Sequence, residues 1–211
     1  MLKKLLRSLF AGLTLTAAVA AAPVHAQEAD AQATVKTAVD DVLTTIKSDP
    51  ELRGGNMSKV YQLVDQKIVP RADFKRTTQI AMGRFWNQAS PEQQQQIQDG
   101  FKTLLIRTYA GALSNVKNQT VSYKPFRAAA DDTDVVVRST VNNNGEPVAL
   151  DYRLEKTAGG WKVYDINISS LWLSETYKNQ FADVISKRGG VAGLVSFLNE
   201  RNSQLEKGPA K

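Results

Sequence analysis

The sequence predicts an α+β fold: a curved four-stranded antiparallel sheet with helices packed on one face, a shape capable of enclosing an apolar cavity. Three observations carry this. Apolar residues recur at three- and four-residue spacings up to about residue 119, alternate with a period of two from Thr120 to Ile168, and return to helical spacing from Ser174 onward. A run of helices, a run of strands and a second run of helices is the order expected when helices cover an antiparallel meander.

In the first helical region, Val35, Ala38, Val39, Val42 and Ile46 form the stripe of an amphipathic helix over Ala31 to Lys47, which Asp49-Pro50 ends. Gly54-Gly55 marks a loop. Val60, Leu63, Val64 and Ile68 continue the pattern to Pro70, and Asp73-Phe74 to Trp86 reads as one or two short helices. Ser90-Pro91-Glu92-Gln93 is the clearest local signal: a hydroxyl cap, proline at the first helical position and glutamine three residues after the cap. A long helix starts there, with Ile97, Phe101, Leu104, Leu105, Thr108, Ala112 and Val116 as its expected apolar face.

Thr120 to Pro125, Asp134 to Val141, Val148 to Lys156 and Trp161 to Ile168 are β-branched or aromatic runs separated by turn-rich segments, which predicts the four strands. The third alternates cleanly, with Val148, Leu150, Tyr152 and Leu154 on one face and Ala149, Asp151, Arg153 and Glu155 on the other. The last is less regular. Trp161 and Val163 share one parity while Tyr164, Ile166 and Ile168 share the other, so a bulge or a sheet end covered on both sides is expected. A helix capped at Ser174 then carries Tyr177, Phe181, Val184 and Ile185 inward and stops at Gly189-Gly190. A final helix uses Val191, Leu194, Val195 and Leu198, and 202–211 reads as a flexible polar tail.

Residues 1–26 have the form of an export signal: Lys3, Lys4 and Arg7, an apolar run from Leu9 to Ala22, and Val24-His25-Ala26 as a small-x-small cleavage site. They hold three of the 27 basic residues, none of the 21 acids and the one histidine, so the remainder has 24 basic and 21 acidic groups and a net charge of +3. That small, dispersed surplus argues against a nucleic-acid partner. With neither His nor Cys left, thiol and imidazole catalysis, zinc sites and disulfides lose their usual residues. A single domain over 27–201, soluble in a compartment beyond the inner membrane, is expected.

The glycine pairs lack the strand-to-helix context of a phosphate loop. Asp131, Asp132 and Asp134 lack the glycine and distant glutamate of a calcium loop, and read as a solvated hairpin tip. Asn118-Gln119-Thr120 and Asn167-Ile168-Ser169 match the glycosylation triplet, which carries meaning only in a glycosylating host. One enzymatic alternative remains open. Asp165 shares strand parity with Trp161 and Val163, and a carboxylate buried in an apolar cone could serve as the base of an isomerase-like enzyme. A binder of apolar small molecules with the same cone shape belongs with that alternative, and a pure protein-interaction or chaperone module is a third class.

Three stretches together resemble the MlaC family, the periplasmic phospholipid-binding proteins of the Mla lipid-asymmetry system, also called the toluene-tolerance auxiliary family. The first runs from Val69-Pro70-Arg71-Ala72-Asp73-Phe74 through Met82-Gly83-Arg84-Phe85-Trp86 and Ala89-Ser90-Pro91-Glu92-Gln93 to Phe101, Leu104-Leu105 and Thr108-Tyr109-Ala110. The second joins Asp151-Tyr152-Arg153-Leu154 to Gly160-Trp161-Lys162-Val163-Tyr164-Asp165-Ile166, and the third joins Tyr177-Lys178-Asn179-Gln180-Phe181 to Gly189-Gly190 and Leu194. One departure is Ile168-Ser169-Ser170-Leu171-Trp172-Leu173, where the family more typically carries a glycine followed by Val-Ser. The resemblance implies a monomeric phospholipid carrier without cofactor or catalysis. Its implied partners are an outer-membrane lipoprotein–porin complex and an inner-membrane ABC transporter with a membrane-anchored MCE-domain ring, whose ATPase supplies the energy.

Physics sets the demands on such a carrier. Moving a two-chain lipid with about 30 methylenes into water costs on the order of 24 kcal/mol at ~0.8 per CH₂. The carrier must therefore offer a dry cavity larger than the roughly 300–1,000 Å³ of a drug-sized pocket. On this reasoning the expected lipid-contacting residues are Phe101, Leu105 and Tyr109 on the long helix, Val137, Leu150, Tyr152 and Ile166 on the sheet, and Phe85 and Trp86 nearby.

Overall fold

A computed structural model describes residues 24–207 except Lys117, Phe126, Arg127, Ala130 and Asn144. The expected export signal therefore lies outside the described residues up to residue 23. Helix α1 is described over Val24–Ser48, so the expected cleavage point at Ala26 falls within it. Three polar side chains start the next helices by accepting backbone N–H groups: Asp49 for α2 (Pro50–Arg53), Asn56 for α3 (Met57–Leu63) and Asp73 for α4 (Phe74–Met82). Between α3 and α4 the winding loosens into a π-helical stretch, Val64–Ile68, then tightens into a 3₁₀ turn, Val69–Arg71, that contains Pro70. A second 3₁₀ stretch, Gly83–Gln88, leads to the long helix α5 (Pro91–Ser114). The expected capping box is formed: Ser90 Oγ accepts from Gln93 N–H at 3.2 Å, and Gln93 Oε1 accepts from Ser90 N–H at 3.0 Å.

The sheet has five strands where the sequence predicts four. They are β1 (Thr120–Tyr123), β2 (Asp134–Asn143), β3 (Glu146–Thr157), β4 (Gly160–Ile168) and β5 (Leu171–Trp172), antiparallel and in sequence order. The added strand exists because Ser169 and Ser170 both take positive φ, 50° and 73°, and reverse the chain in two residues. Asn167 then pairs with Trp172 and Ile168 with Leu171.

The irregularity expected in β4 is a bulge. Arg153 of β3 pairs with Asp165 and Leu154 with Val163, which leaves Tyr164 as the extra residue. Beyond the bulge parity inverts, so Asp165 lies opposite Arg153 on the polar face and does not share a face with Trp161 and Val163 as the simple alternation predicts.

Helices contact more than one face of the sheet. Helix α1 lays Ala31 and Val35 on the apolar face, where they join Val135, Val137, Tyr152, Leu154 and Trp161 in one buried cluster. Helix α4 follows the outer edge of β4: Asp73 N–H donates to the Val163 carbonyl at 2.8 Å and Thr77 Oγ1 to the Tyr164 carbonyl at 2.6 Å. From there Arg76 reaches across the polar face to Glu155 and to Asp134, the latter at 2.6 Å, and stacks on Tyr164 at 3.9 Å.

Helix α6 (Leu173–Lys187) and helix α7 (Val191–Glu206) complete the chain. Ser174 does not cap α6; it sits inside the first turn, while Trp172 occupies the cap position without a side-chain bond. As expected, Tyr177, Phe181, Val184 and Ile185 are buried. The tail expected from residue 202 is helical as far as Glu206, and Asn202 is buried with its amide donating to the Gly100 carbonyl at 2.9 Å. The α6–α7 corner leaves no room for a side chain at Gly193, where a Cβ would lie 1.9 Å from the Arg188 carbonyl oxygen. Gly193→Ala is therefore expected to destabilise the fold by about 2 kcal/mol, read as a lower denaturant midpoint with an unchanged slope.

Candidate functional site

Among the described residues the buried apolar side chains fall into three clusters. The helical cluster joins α4, α5, α6 and α7 around Phe101 and Phe181; the sheet cluster lies under the first half of α1; and a third gathers Ile46, Leu52, Val60, Leu63 and Val64 against Ile106 and Ala110 of α5. The packing partners explain the division. Helix α5 packs chiefly on α7, α4, α3 and α2, while the strands pack on α1, α4 and α6.

Two apolar surfaces are left half open by this arrangement. On α5, Ile97, Phe101 and Leu104 are buried; farther along, Leu105, Tyr109, Leu113 and Val116 are half-buried, and Thr108 and Ala112 of the expected apolar face are exposed. On the sheet, Val137, Tyr152 and Leu154 are buried under α1, whereas Val121, Tyr123, Val141, Val148, Leu150, Ile166 and Ile168, toward the other end, are half-buried. Along α1, Val39, Val42 and Leu43 are likewise half-buried.

The expected lipid-contacting residues are brought together in two groups. Trp86 and Phe101 are buried in the helical cluster with Phe85 and Leu105 against it, and the Phe101 ring meets Tyr177 and Phe181 edge-on at 4.8 and 5.0 Å. Val137 and Tyr152 are buried in the sheet cluster with Leu150 and Ile166 against it. Tyr109 belongs to neither group. Sequence reasoning gave no lipid-facing role to Val39, Val42, Val121, Val141, Val148 and Leu113; strand parity or helical spacing places each on an apolar face, but neither reveals that the face is left half open.

The tyrosines that line or flank the apolar clusters carry no charge. Burial pushes the Tyr123 hydroxyl up to about 12, with nearby Asp40 acting in the same sense. Burial is also the main cause that raises Tyr152, Tyr109 and Tyr177 above the ordinary tyrosine value. Tyr164 rises to about 12 through burial and then through its hydroxyl's hydrogen bond to Asp134. All these hydroxyls stay neutral near pH 7.

Asp165, the candidate base, is fully bonded. Its Oδ1 accepts the backbone N–H groups of Ile166 and Ser174, each at 3.0 Å, and its Oδ2 accepts the Ser174 hydroxyl at 2.5 Å and Arg153 at 3.2 Å. It thereby supplies the N-terminal cap that α6 lacks locally. Arg153 also pairs with Glu175 at 3.3 Å and stacks on Trp172 at 3.9 Å. Among the described residues no group of three or more His, Cys, Asp or Glu could hold a metal ion.

A separate, open groove of about 610 Å³ runs between α5 and α7, lined by polar residues that include Asp99, Thr103, Asn202 and Glu206. Arg107 closes one side of it through Tyr61 at 2.8 Å and Glu206 at 3.2 Å. Its lining is unlike the apolar cavity that the sequence predicts. No helix among the described residues is long and apolar enough to cross a membrane.

Comparison with known proteins agrees with this layout. The chain is 27% identical over 156 residues, 74% of its length and 73% of the relative's, to the toluene tolerance protein ttg2D of Pseudomonas putida. It is 26% identical over 161 residues, 71% of its length and 74% of the relative's, to the intermembrane phospholipid transport system binding protein MlaC of Haemophilus influenzae. A phospholipid-binding protein from Ralstonia solanacearum, solved in complex with a phospholipid, matches with a TM-score of 0.83 and 88% identity, covering 84% of this chain and 99% of that one. The family model for MlaC protein matches residues 36–200, well over half of the sequence, and the chain therefore belongs to the MlaC family.

Proposed function

We propose that this protein is a periplasmic phospholipid carrier. It shuttles lipid between an outer-membrane lipoprotein–porin complex and an inner-membrane MCE-domain ABC transporter, and so maintains outer-membrane lipid asymmetry. The observation that carries the reading is the pair of half-open apolar surfaces on α5 and the sheet, which do not use each other as main packing partners. Acyl chains would cover both, and the phospholipid bound by the Ralstonia solanacearum relative supports that occupant. Neutral tyrosines and aliphatic walls suit tails, and a headgroup left at the mouth needs no dense charged site. Transfer runs from one apolar channel to another, because release into water would incur the full hydration cost of both tails. The four bonds on Asp165 favour a structural role for that residue, so the carrier needs no catalytic step.

The test is denaturing mass spectrometry of solvent extracts from protein purified out of the periplasm. Phospholipid at about one molecule per chain is expected, and protein free of lipid would overturn the reading. Leu150→Asn, at the half-buried end of the sheet, is expected to lower bound lipid about tenfold while leaving the thermal midpoint nearly unchanged, as measured on the same preparations.

A further inference from the structure

Among the described residues the exposed large apolar side chains are Met57, 36% accessible, and Leu171, 64% accessible. Leu171 follows the turn at Ser169 and Ser170. Both serines hold positive φ, a conformation disfavoured for residues with a Cβ, so an unusual backbone presents this side chain outward. Next to it Trp172 is half-buried, its ring fixed on the Arg153 guanidinium at 3.9 Å. From Asn167 to Ser174 there is no charged residue. The turn stands at the end of the sheet where the half-buried rows lie, since Ser169 N–H donates to the Ala149 carbonyl at 3.1 Å, beside Val148 and Leu150.

We infer that the β4–β5 turn is a membrane-contacting tip that enters the headgroup boundary of a lipid bilayer. A tryptophan beside an exposed leucine, ringed by hydroxyl and amide groups, matches the chemistry of that boundary. The turn itself brings no charge to desolvate, and the Arg153 guanidinium against Trp172 is already paired with Asp165 and Glu175. The exposed apolar surface is one leucine and part of one tryptophan, far short of the roughly 1,000 Å² that a specific protein interface buries, but sufficient for weak, reversible contact with lipid. The inference goes beyond the carrier reading, because it concerns how the protein touches a membrane and not what its interior holds.

Trp172 is a natural reporter, because the other two tryptophans, Trp86 and Trp161, are buried. Purified protein is titrated with vesicles of phosphatidylethanolamine and a minor fraction of phosphatidylglycerol, with and without bromine on the acyl chains. Brominated vesicles are expected to quench the wild type, Leu171→Ser to weaken vesicle association about tenfold, and Trp172→Phe to lose the quenched signal. Leu171→Asp should abolish association while its circular dichroism stays that of the wild type. Equal association of wild type and Leu171→Asp would overturn the inference, as would absence of wild-type association at the highest vesicle concentration. Quenching that survives in Trp172→Phe would overturn it too, by tracing the signal to lipid inside the protein. Extracted phospholipid is quantified on the same samples. Lipid-loaded Leu171→Asp that ignores vesicles supports the tip, and a lipid-free wild type that is still quenched upholds the tip while the carrier reading fails.

Discussion

Asp165→Ala is expected to lower the unfolding free energy by about 3–5 kcal/mol. The side chain is wholly inaccessible to solvent, and its removal strands the Ser174 hydroxyl, two backbone N–H groups and one arm of Arg153. At this chain length the loss corresponds to a fall of roughly 10 °C in the thermal midpoint, readable by calorimetry. Asp165→Asn keeps the shape and part of the bonding and should lie between the variant and the wild type. In both variants the phospholipid carried per folded molecule should match the wild type. Unchanged stability together with loss of an activity on a soluble ligand would instead restore the carboxylate-enzyme reading.

Phe101→Ala is expected to cost about 3–5 kcal/mol, because it empties the centre of the helical cluster. The ring is fully buried and held edge-on by Tyr177 and Phe181, contacts that alanine cannot make. The variant also separates two roles that sequence alone confuses. A residue that only builds the core should lower stability without lowering bound lipid in the molecules that remain folded, the reverse of Leu150→Asn. Chemical denaturation paired with lipid extraction checks it, and loss of lipid at full stability would move Phe101 into the lipid-contacting wall.

What the sequence made legible was local. The box at Ser90 and Gln93, the stop at Gly189-Gly190 and the inward face of α6 each depend on residues within a few positions of one another. The fifth strand was not legible, because two residues are too few to show a period and Ser-Ser lacks the Asn-Gly signature of its turn. The face of Asp165 was hidden by a one-residue bulge that parity detects but does not place. The cap of α6 comes from a residue nine positions upstream, on another element. For the candidate site the obstacle was chemical: leucine and valine serve core and cavity wall alike, and what leaves Phe101 buried and Leu150 half-buried is which elements meet over them.

The extra residue at Tyr164 has an evolutionary consequence. Shortening β4 by that single residue would restore simple alternation while leaving the Asp165 carboxylate on the polar side and Ile166 on the apolar side, at the loss of the Tyr164 hydroxyl's bond to Asp134 and of its ring beneath Arg76. A one-residue deletion is thus open to descendants of this gene at the bulge, whereas one between Asp165 and Ile168 would turn the rest of the strand over.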